Sequence, residues 1–400
     1  MSNTTLSTSP YKGTTDFLPA DFNKRNYIFR KWRECLDKFG YEEYETSLLE
    51  SAEVYRLKSG EELGTKQIYS FQDKGDRLIA LRPEQTPSLA RLVADNFGQL
   101  RMPLRWYSIP NCFRYEQPQR GRRREFWQLN VDMIGVEEGW ADVEIIKMAA
   151  ETMLAFGAKK EDFTIFYNHR GVLDSFLEEV GVQPDQKPGV YKVLDDWSRV
   201  TIEESEAALS QVLTEDKAKN HILCLLEGMD KEVDLWDDIA DDEFPEFVKI
   251  QENLTTLLGD SVDIQLNPAI VRGLAYYTGT VFEVFDTNPE NSRSLFGGGR
   301  YDNLLDLYGK KAGCVGFGAG QVTMTDFLET HDLMPAEFSN APKLTLIPVT
   351  ETDIQKCWET EVAKYQLEGY QVTIDYDIER SANKRRESAV KKGSKPIVIE

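Results

Sequence analysis

Two short β-like segments, 163–168 and 262–267, stand on either side of a long run of helical periodicity, and this interruption restricts the fold of the 400-residue chain more than any other feature. Strand-like patterns on both sides mean that one sheet is left and later re-entered. The run between them, residues 170–258, is helical in pattern and carries an acidic block at 232–246 that reads as a solvated surface. An insertion between two strands of a single sheet is the simplest account.

Upstream, Phe22, Tyr27, Ile28, Trp32, Cys35, Leu36 and Phe39 recur near helical spacing, which predicts an amphipathic helix over 20–39 that Gly40 ends. Residues 41–49 look extended. Strands are expected at 67–71, 78–81, 104–113 and 126–134, with helices at 86–96 and 140–156. Strands in succession with helices between some of them predict an antiparallel sheet in an α+β domain. After the insertion the sheet resumes at 280–285 and in the glycine-dense Phe296-Gly297-Gly298-Gly299-Arg300-Tyr301-Asp302, and it ends within 313–328. Pro335 and Pro342 flank a linker. Segments 344–349, 353–367, 371–374, 383–392 and 396–399 then alternate β-α-β-α-β, a small α/β domain expected to be incomplete at its last strand.

A composition of 41% hydrophobic and 11% aromatic residues suits a soluble globular protein with a sizeable core. The 47 Lys and Arg against 68 Asp and Glu leave a formal charge of −21, which excludes a protein that coats nucleic acid with its whole surface. Any nucleic-acid partner must meet local basic patches. Cysteines at 35, 112, 224, 314 and 357 are scattered, odd in number and without CxxC spacing, so neither zinc nor a disulfide framework is expected. A reducing cytoplasm fits that usage. No secretory pattern opens the chain and no apolar run nears the ~18 residues of a membrane span, so no membrane partner is expected. Histidines 169, 221 and 331 lack metal-ligand spacing, and no nucleophile elbow suggests a hydrolase.

Residues 113–128 invert the acidic balance, with five arginines in sixteen residues. Such an inversion points to an anionic ligand. Arg114 and Glu116, two apart on an expected strand, would share a face, one holding phosphate bidentately while the other accepts from a base amino group. An exposed cross-strand salt bridge is the other reading of the pair. Residues 119–124 read as a basic hairpin loop whose Arg120, Arg122, Arg123 and Arg124 could contact a triphosphate or an RNA end. Arg272-Gly273-Leu274-Ala275-Tyr276-Tyr277-Thr278-Gly279-Thr280 adds a charge, two glycines and paired aromatics. Taken alone, the three glycines at 297–299 match neither a dinucleotide fingerprint nor a P-loop.

In this order, Gly13-Thr14-Thr15-Asp16-Phe17-Leu18-Pro19, Gly40-Tyr41-Glu42-Glu43, Leu81-Arg82-Pro83-Glu84-Gln85-Thr86, the 113–128 block, the 272–282 segment and Gly298-Gly299-Arg300-Tyr301-Asp302 resemble the class II aminoacyl-tRNA synthetases. The Arg-Gly-Leu-x-Tyr-Tyr-Thr-Gly run is similar to that of the histidyl-tRNA synthetase family in particular. The resemblance implies activation of histidine by ATP to an adenylate, then transfer to histidine tRNA. It gives the α-phosphate to Arg114 and Arg272, the two expected catalytic residues, and the adenine amino group to Glu116. Arg122 joins these three as an ATP-binding residue. It gives the histidine α-amino group to Glu84, Thr86 and Gln128, and the imidazole to Asp132 and Tyr277, with Tyr276 and Tyr301 completing the pocket. Gln119 and Arg124 are implied to meet the tRNA acceptor end.

ATP would bring Mg2+ held mostly by phosphates and water, so no protein metal site is expected. The implied domains are a catalytic domain in two parts, 1–169 and 259–334, a helical insertion at 170–258 and an anticodon-binding domain at 343–400. Segment 380–395 of the last carries seven Lys and Arg against one Glu. Helix 20–39 and strand 41–49 resemble the dimer-forming motif of the class, which implies a homodimer.

Four positions depart from the family pattern: Ser47 for a proline, Asp132 for a glutamate, Ala275 for an aspartate, and Thr323 where the third class motif carries an arginine on the γ-phosphate. Losing such a charge-stabilising donor costs about 10²- to 10³-fold in rate unless another cation substitutes, and Arg120, Arg122 or Arg123 are the candidates. The alternative reading is a non-aminoacylating relative such as the regulatory subunit of ATP phosphoribosyltransferase. That relative typically lacks the anticodon domain and the arginines for adenylate formation.

Overall fold

The computed structural model describes residues 7–56, 65–197, 200–227, 230–272, 276–291, 293–338 and 341–400. Contacts divide the chain into two units, Met1–Met334 and Pro335–Glu400. In the first unit the strands are β1 (Glu42–Glu43), β2 (Leu49–Ser51), β3 (Tyr69–Gln72), β4 (Leu78–Leu81), β5 (Leu104–Ser108), β6 (Asn111–Phe113), β7 (Glu125–Ile134), β8 (Phe163–His169), β9 (Asp263–Leu266), β10 (Thr280–Asp286), β11 (Ser294–Arg300) and β12 (Cys314–Gly320). The helices are α1 (Pro19–Lys38), α2 (Ala52–Arg56), α3 (Thr86–Asn96), α4 (Trp140–Leu154), six between β8 and β9, and α11 (Gln321–Thr330). Those six are α5 (Arg170–Glu179), α6 (Lys187–Asp195), α7 (Ile202–Val212), α8 (Asp216–Glu227), α9 (Asp230–Glu243) and α10 (Pro245–Leu258).

Among the described residues nine strands form one sheet in the order β1-β5-β7-β12-β11-β10-β8-β9, with β6 paired to β7 outside that path. Its interior is antiparallel, as expected, but both edges differ. β1 runs parallel to β5 and β9 parallel to β8. Parallel neighbours need a long crossover, and the six helices between β8 and β9 provide one. The acidic block falls on α9 and the start of α10, where Asp234, Asp237, Asp238, Asp241 and Asp242 are exposed while Trp236, Ile239 and Ala240 are buried. It is the wet side of an amphipathic helix.

Three further expectations are corrected. The strand expected over 104–113 is two strands, because Pro110 has no N–H for a ladder and its carbonyl instead accepts from the Gln128 amide at 3.0 Å. Segments 67–71 and 78–81 do not join the main sheet but form a separate one, β2-β4-β3. Residues 41–49 contribute only the two-residue ladder of β1 and the first residue of β2 to strand structure.

Helices α1, α4 and α11 pack together and cover one face of the main sheet. α1 starts at Pro19, buries Ile28, Phe29, Trp32, Cys35 and Leu36, and is followed by Gly40 at φ +73°. A buried charged pair lies under this layer. The Arg300 guanidinium donates to Asp142 at 3.0 and 2.6 Å, to Asp302 at 3.0 Å and to the carbonyls of Val136 and Glu137, and the Arg300 and Asp142 side chains are at most 1% exposed. The pair ties β11 to the start of α4. The second unit is a parallel sheet β14-β13-β15 of β13 (Lys343–Pro348), β14 (Gln371–Ile374) and β15 (Ser394–Ile399). Its helices are α12 (Glu351–Lys356), α13 (Val362–Leu367) and α14 (Ala382–Lys391). No helix among the described residues is long and apolar enough to cross a membrane.

Removing one partner of a fully buried pair leaves an uncompensated charge, so Arg300→Ala should cost about 3–5 kcal/mol, read from the urea unfolding midpoint. The double replacement Arg300→Met with Asp142→Leu should cost much less.

Candidate functional site

The sheet face away from the helices carries a cavity of about 780 Å3. Its floor comes from strand alternation. Phe126, Gln128, Asn130 and Asp132 of β7 line the cavity, while Leu129, Val131 and Met133 point into the core. Opposite them β12 offers glycines, with Asp132 paired to Gly316, Asn130 to Gly318 and Gln128 to Gly320. A Cβ on Gly316 would lie 2.3 Å from Asp132 Oδ1, and one on Gly318 would lie 2.2 Å from Gln128 Nε2. The glycines therefore make room for polar side chains that would otherwise have no place on this face.

At the deep end the Tyr301 hydroxyl donates to Asp132 Oδ1 at 2.5 Å, and the Tyr276 hydroxyl donates to Glu84 Oε2 at 3.0 Å. Burial raises both tyrosine hydroxyls, so they remain protonated donors. Burial also pushes the Asp132 carboxyl up to about 7, against the Tyr301 hydroxyl that favours its charged form. Tyr276 packs edge-on against Tyr301 and lies tilted beside Tyr277.

Arg114 and Glu116 also line the cavity, but not on a regular strand: β6 ends at Phe113, just before Arg114. Arg114 Nε donates to the Pro83 carbonyl at 2.9 Å, and its guanidinium lies over the Phe126 ring. The expected hairpin is present. Gln119 and Arg122 exchange backbone hydrogen bonds around Arg120 and Gly121, and Gly121 takes φ +73°. Arg272 holds the left-handed φ of +56°, uncommon for a residue with a Cβ, and its guanidinium donates to Glu283 at 2.5 Å and to the Gly297 carbonyl at 3.2 Å. Gly273, Leu274 and Ala275 lie outside the described residues.

The cavity thus collects Glu84, Thr86, Arg114, Glu116, Gln119, Arg122, Gln128, Asp132, Arg272, Tyr276, Tyr277 and Tyr301. It does not collect Arg124, which is only 8% exposed and bonds elsewhere. Four buried polar atoms of the collected residues have no partner: Glu84 Oε1, Gln128 Oε1, Asp132 Oδ2 and Arg272 Nε. Buried polar atoms of this kind are costly unless a ligand satisfies them. Three are acceptors and one is a donor, so the complementary ligand presents N–H groups to the former and an acceptor to the latter. Among the described residues no group of three or more His, Cys, Asp or Glu is disposed to hold a metal ion.

Sequence reasoning missed Asn130, Glu283 and the 316/318/320 glycines. The signals were a lone charge inside the apolar strand Thr280–Asp286 and glycines at every second position of Cys314–Gly320. Thr323, at the start of α11, donates to the Leu295 carbonyl at 2.7 Å, and its Cγ2 would touch a Cβ on Gly121 at 3.4 Å, so the arginine hairpin sits against it.

Because the folded Asp132 carboxyl titrates above its unfolded value, the free protein loses stability as pH rises from about 4 to about 7. Asp132→Asn should therefore stabilise the free protein more at pH 8 than at pH 4, by about 2–4 kcal/mol, read from melting curves at the two pH values. Equal shifts at both pH values would contradict this.

The family model described as histidyl-tRNA synthetase matches residues 13–321. The histidine–tRNA ligase of Leptospira biflexa is 44% identical over 82% of this chain and 76% of its own length. That of Pyrococcus abyssi is 37% identical over 94% of this chain and 86% of its own. Among solved structures, a Bacillus halodurans protein titled ATP phosphoribosyltransferase regulatory subunit/histidyl-tRNA synthetase superposes with a TM-score of 0.79 at 22% identity, covering 99% of both chains. The histidyl-tRNA synthetase of a Nostoc species gives 0.78 at 21% identity over 97% of this chain and 90% of that one. At such identities the structures establish the fold alone.

Proposed function

Because the chain belongs to the histidyl-tRNA synthetase family, we propose that it activates histidine with ATP to histidyl adenylate and transfers the histidyl group to the 3′ end of histidine tRNA. The observation that carries this reading is the set of unpaired buried atoms, acceptors at Glu84, Gln128 and Asp132 and a donor at Arg272, in one cavity. Glu84, Thr86 and Gln128 would take the α-ammonium group. Asp132 Oδ2 would accept an imidazole N–H, with Tyr277 on the ring and Tyr276 and Tyr301 fixing the two carboxylates. A site that must satisfy both polar edges of imidazole rejects isosteres lacking them by large factors.

Arg114 and Arg272 would hold the α-phosphate, where charge builds as pyrophosphate leaves, and their prior anchoring on Pro83 and Glu283 supports a preorganised clamp. Glu116 would accept from the adenine amino group. Magnesium would arrive with ATP, held by phosphate and water. Gln119, which lines the cavity, would meet the tRNA acceptor end, and residues 343–400 would bind the anticodon. Residues 1–169 and 259–334 would act as one catalytic domain interrupted by the 170–258 insertion, in a cytoplasmic homodimer. The regulatory-subunit alternative is not favoured, since the curated relatives are named as ligases and Arg114, Glu116 and Arg272 are all present in the cavity.

Without an arginine at 323, the triphosphate charge would fall to the hairpin. The position of the hairpin supports this, because Arg120, Arg122 and Arg123 line the same cavity as Thr323. Purified protein should catalyse histidine-dependent ATP–pyrophosphate exchange, and its absence would remove the proposal. Of Arg120→Ala, Arg122→Ala and Arg123→Ala, at least one should lower that exchange by about 10²-fold. No loss from any of the three would remove the hairpin as the substitute.

A further inference from the structure

Arg124 is the fifth arginine of the basic block, yet it alone turns away from the cavity. Its Nη1 donates to the Tyr11 hydroxyl at 2.8 Å and its Nε to the Glu116 carbonyl at 3.1 Å. The guanidinium lies 4.2 Å over the Tyr115 ring and 5.5 Å over that of Tyr11. Its backbone is equally committed. The Arg124 amide donates to the Gly13 carbonyl at 2.8 Å, and its carbonyl accepts from the Arg114 amide at 2.9 Å. A side chain so engaged would have to break these bonds to reach an RNA.

Residues 11–15 are shaped to lie on it. The Thr14 amide and hydroxyl both donate to the Tyr11 carbonyl, at 3.0 and 2.8 Å, which closes a tight turn. Gly13, at φ +89°, lies flat on the arginine stem: a Cβ there would meet Arg124 Cγ at 2.7 Å and Pro118 Cγ at 3.0 Å. Thr15 Oγ1 accepts from Arg123 Nη1. The segment therefore grips the hairpin at Pro118 and Arg124 and reaches the Arg123 guanidinium, while Gln119 to Arg123 line the cavity.

We propose that residues 11–15 form a strap that positions the nucleotide-binding hairpin, and that Arg124 is the positioning residue through which it acts on Arg114 and Glu116 rather than a tRNA ligand. The proposal rests on the reading that this cavity takes ATP. Strap and arginine act as a unit. Releasing either frees the Glu116 carbonyl from the Arg124 side chain and loosens the Arg124 backbone, whose carbonyl still holds the Arg114 amide, which weakens the nucleotide end of the cavity and leaves the histidine end on β7 untouched.

The test is steady-state kinetics on full-length wild type, Tyr11→Ala, Tyr11→Phe, Arg124→Ala and the Tyr11→Ala/Arg124→Ala double variant. Tyr11 is 56% exposed, so its removal leaves the fold intact, and melting curves check this. Tyr11→Ala and Arg124→Ala should each raise the KM for ATP about tenfold, with KM for histidine and for tRNA unchanged. Tyr11→Phe, keeping the ring but losing the acceptor, should fall between wild type and Tyr11→Ala. The double variant should resemble the worse single one, as expected for residues acting through one contact. An Arg124→Ala enzyme with a raised KM for tRNA and an unchanged KM for ATP would overturn the proposal. An active wild type with a silent Tyr11→Ala would also overturn it and leave the parent reading intact, whereas a wild type without histidine-dependent exchange would overturn both.

Discussion

The pairing of β7 with β12 is the constraint on which the rest of the site depends. Gln128, Asn130 and Asp132 alternate along one strand, and Gly320, Gly318 and Gly316 stand opposite them on the other. A slip of one residue would send the polar set into the helix-covered core and bring Leu129, Val131 and Met133 into the cavity. The glycines fix that choice sterically, since side chains at 316 or 318 would collide with Asp132 and Gln128. The polar floor of the cavity is thus written into the register of one strand pair, with α1, α4 and α11 holding the opposite face.

That arrangement works against stability. Asp132 is buried with one oxygen unpaired, and Arg272 keeps a left-handed backbone and an unpaired Nε. Each is a cost in the empty protein that a ligand with matching groups relieves. The Arg300–Asp142 pair sits under the same sheet without orphaned charge, which is how a structural arginine differs here from a ligand-facing one.

Much of this was legible in the sequence where local rules agree. The bounds of Thr86–Asn96 and Leu78–Leu81 follow from turn residues and apolar pattern, and twelve of the thirteen expected site residues line one cavity. What was not legible depends on distant partners. Parallel pairing at both sheet edges comes from the crossover geometry of segments far apart in sequence, and the break at Pro110 comes from the needs of a ladder. Arg124 could not be told from its neighbours by charge, because its burial depends on Tyr11 and Gly13, more than a hundred residues earlier. The alternate glycines of β12 have meaning only beside the polar residues of β7.

The most direct test of the account is a crystal structure with a non-hydrolysable histidyl adenylate analogue. The account predicts imidazole nitrogen within hydrogen-bond distance of Asp132 Oδ2, the α-ammonium group on Glu84 Oε1 and Gln128 Oε1, and the phosphate between Arg114 and Arg272. A ligand bound with these atoms still unpaired, or bound outside the cavity, would contradict it.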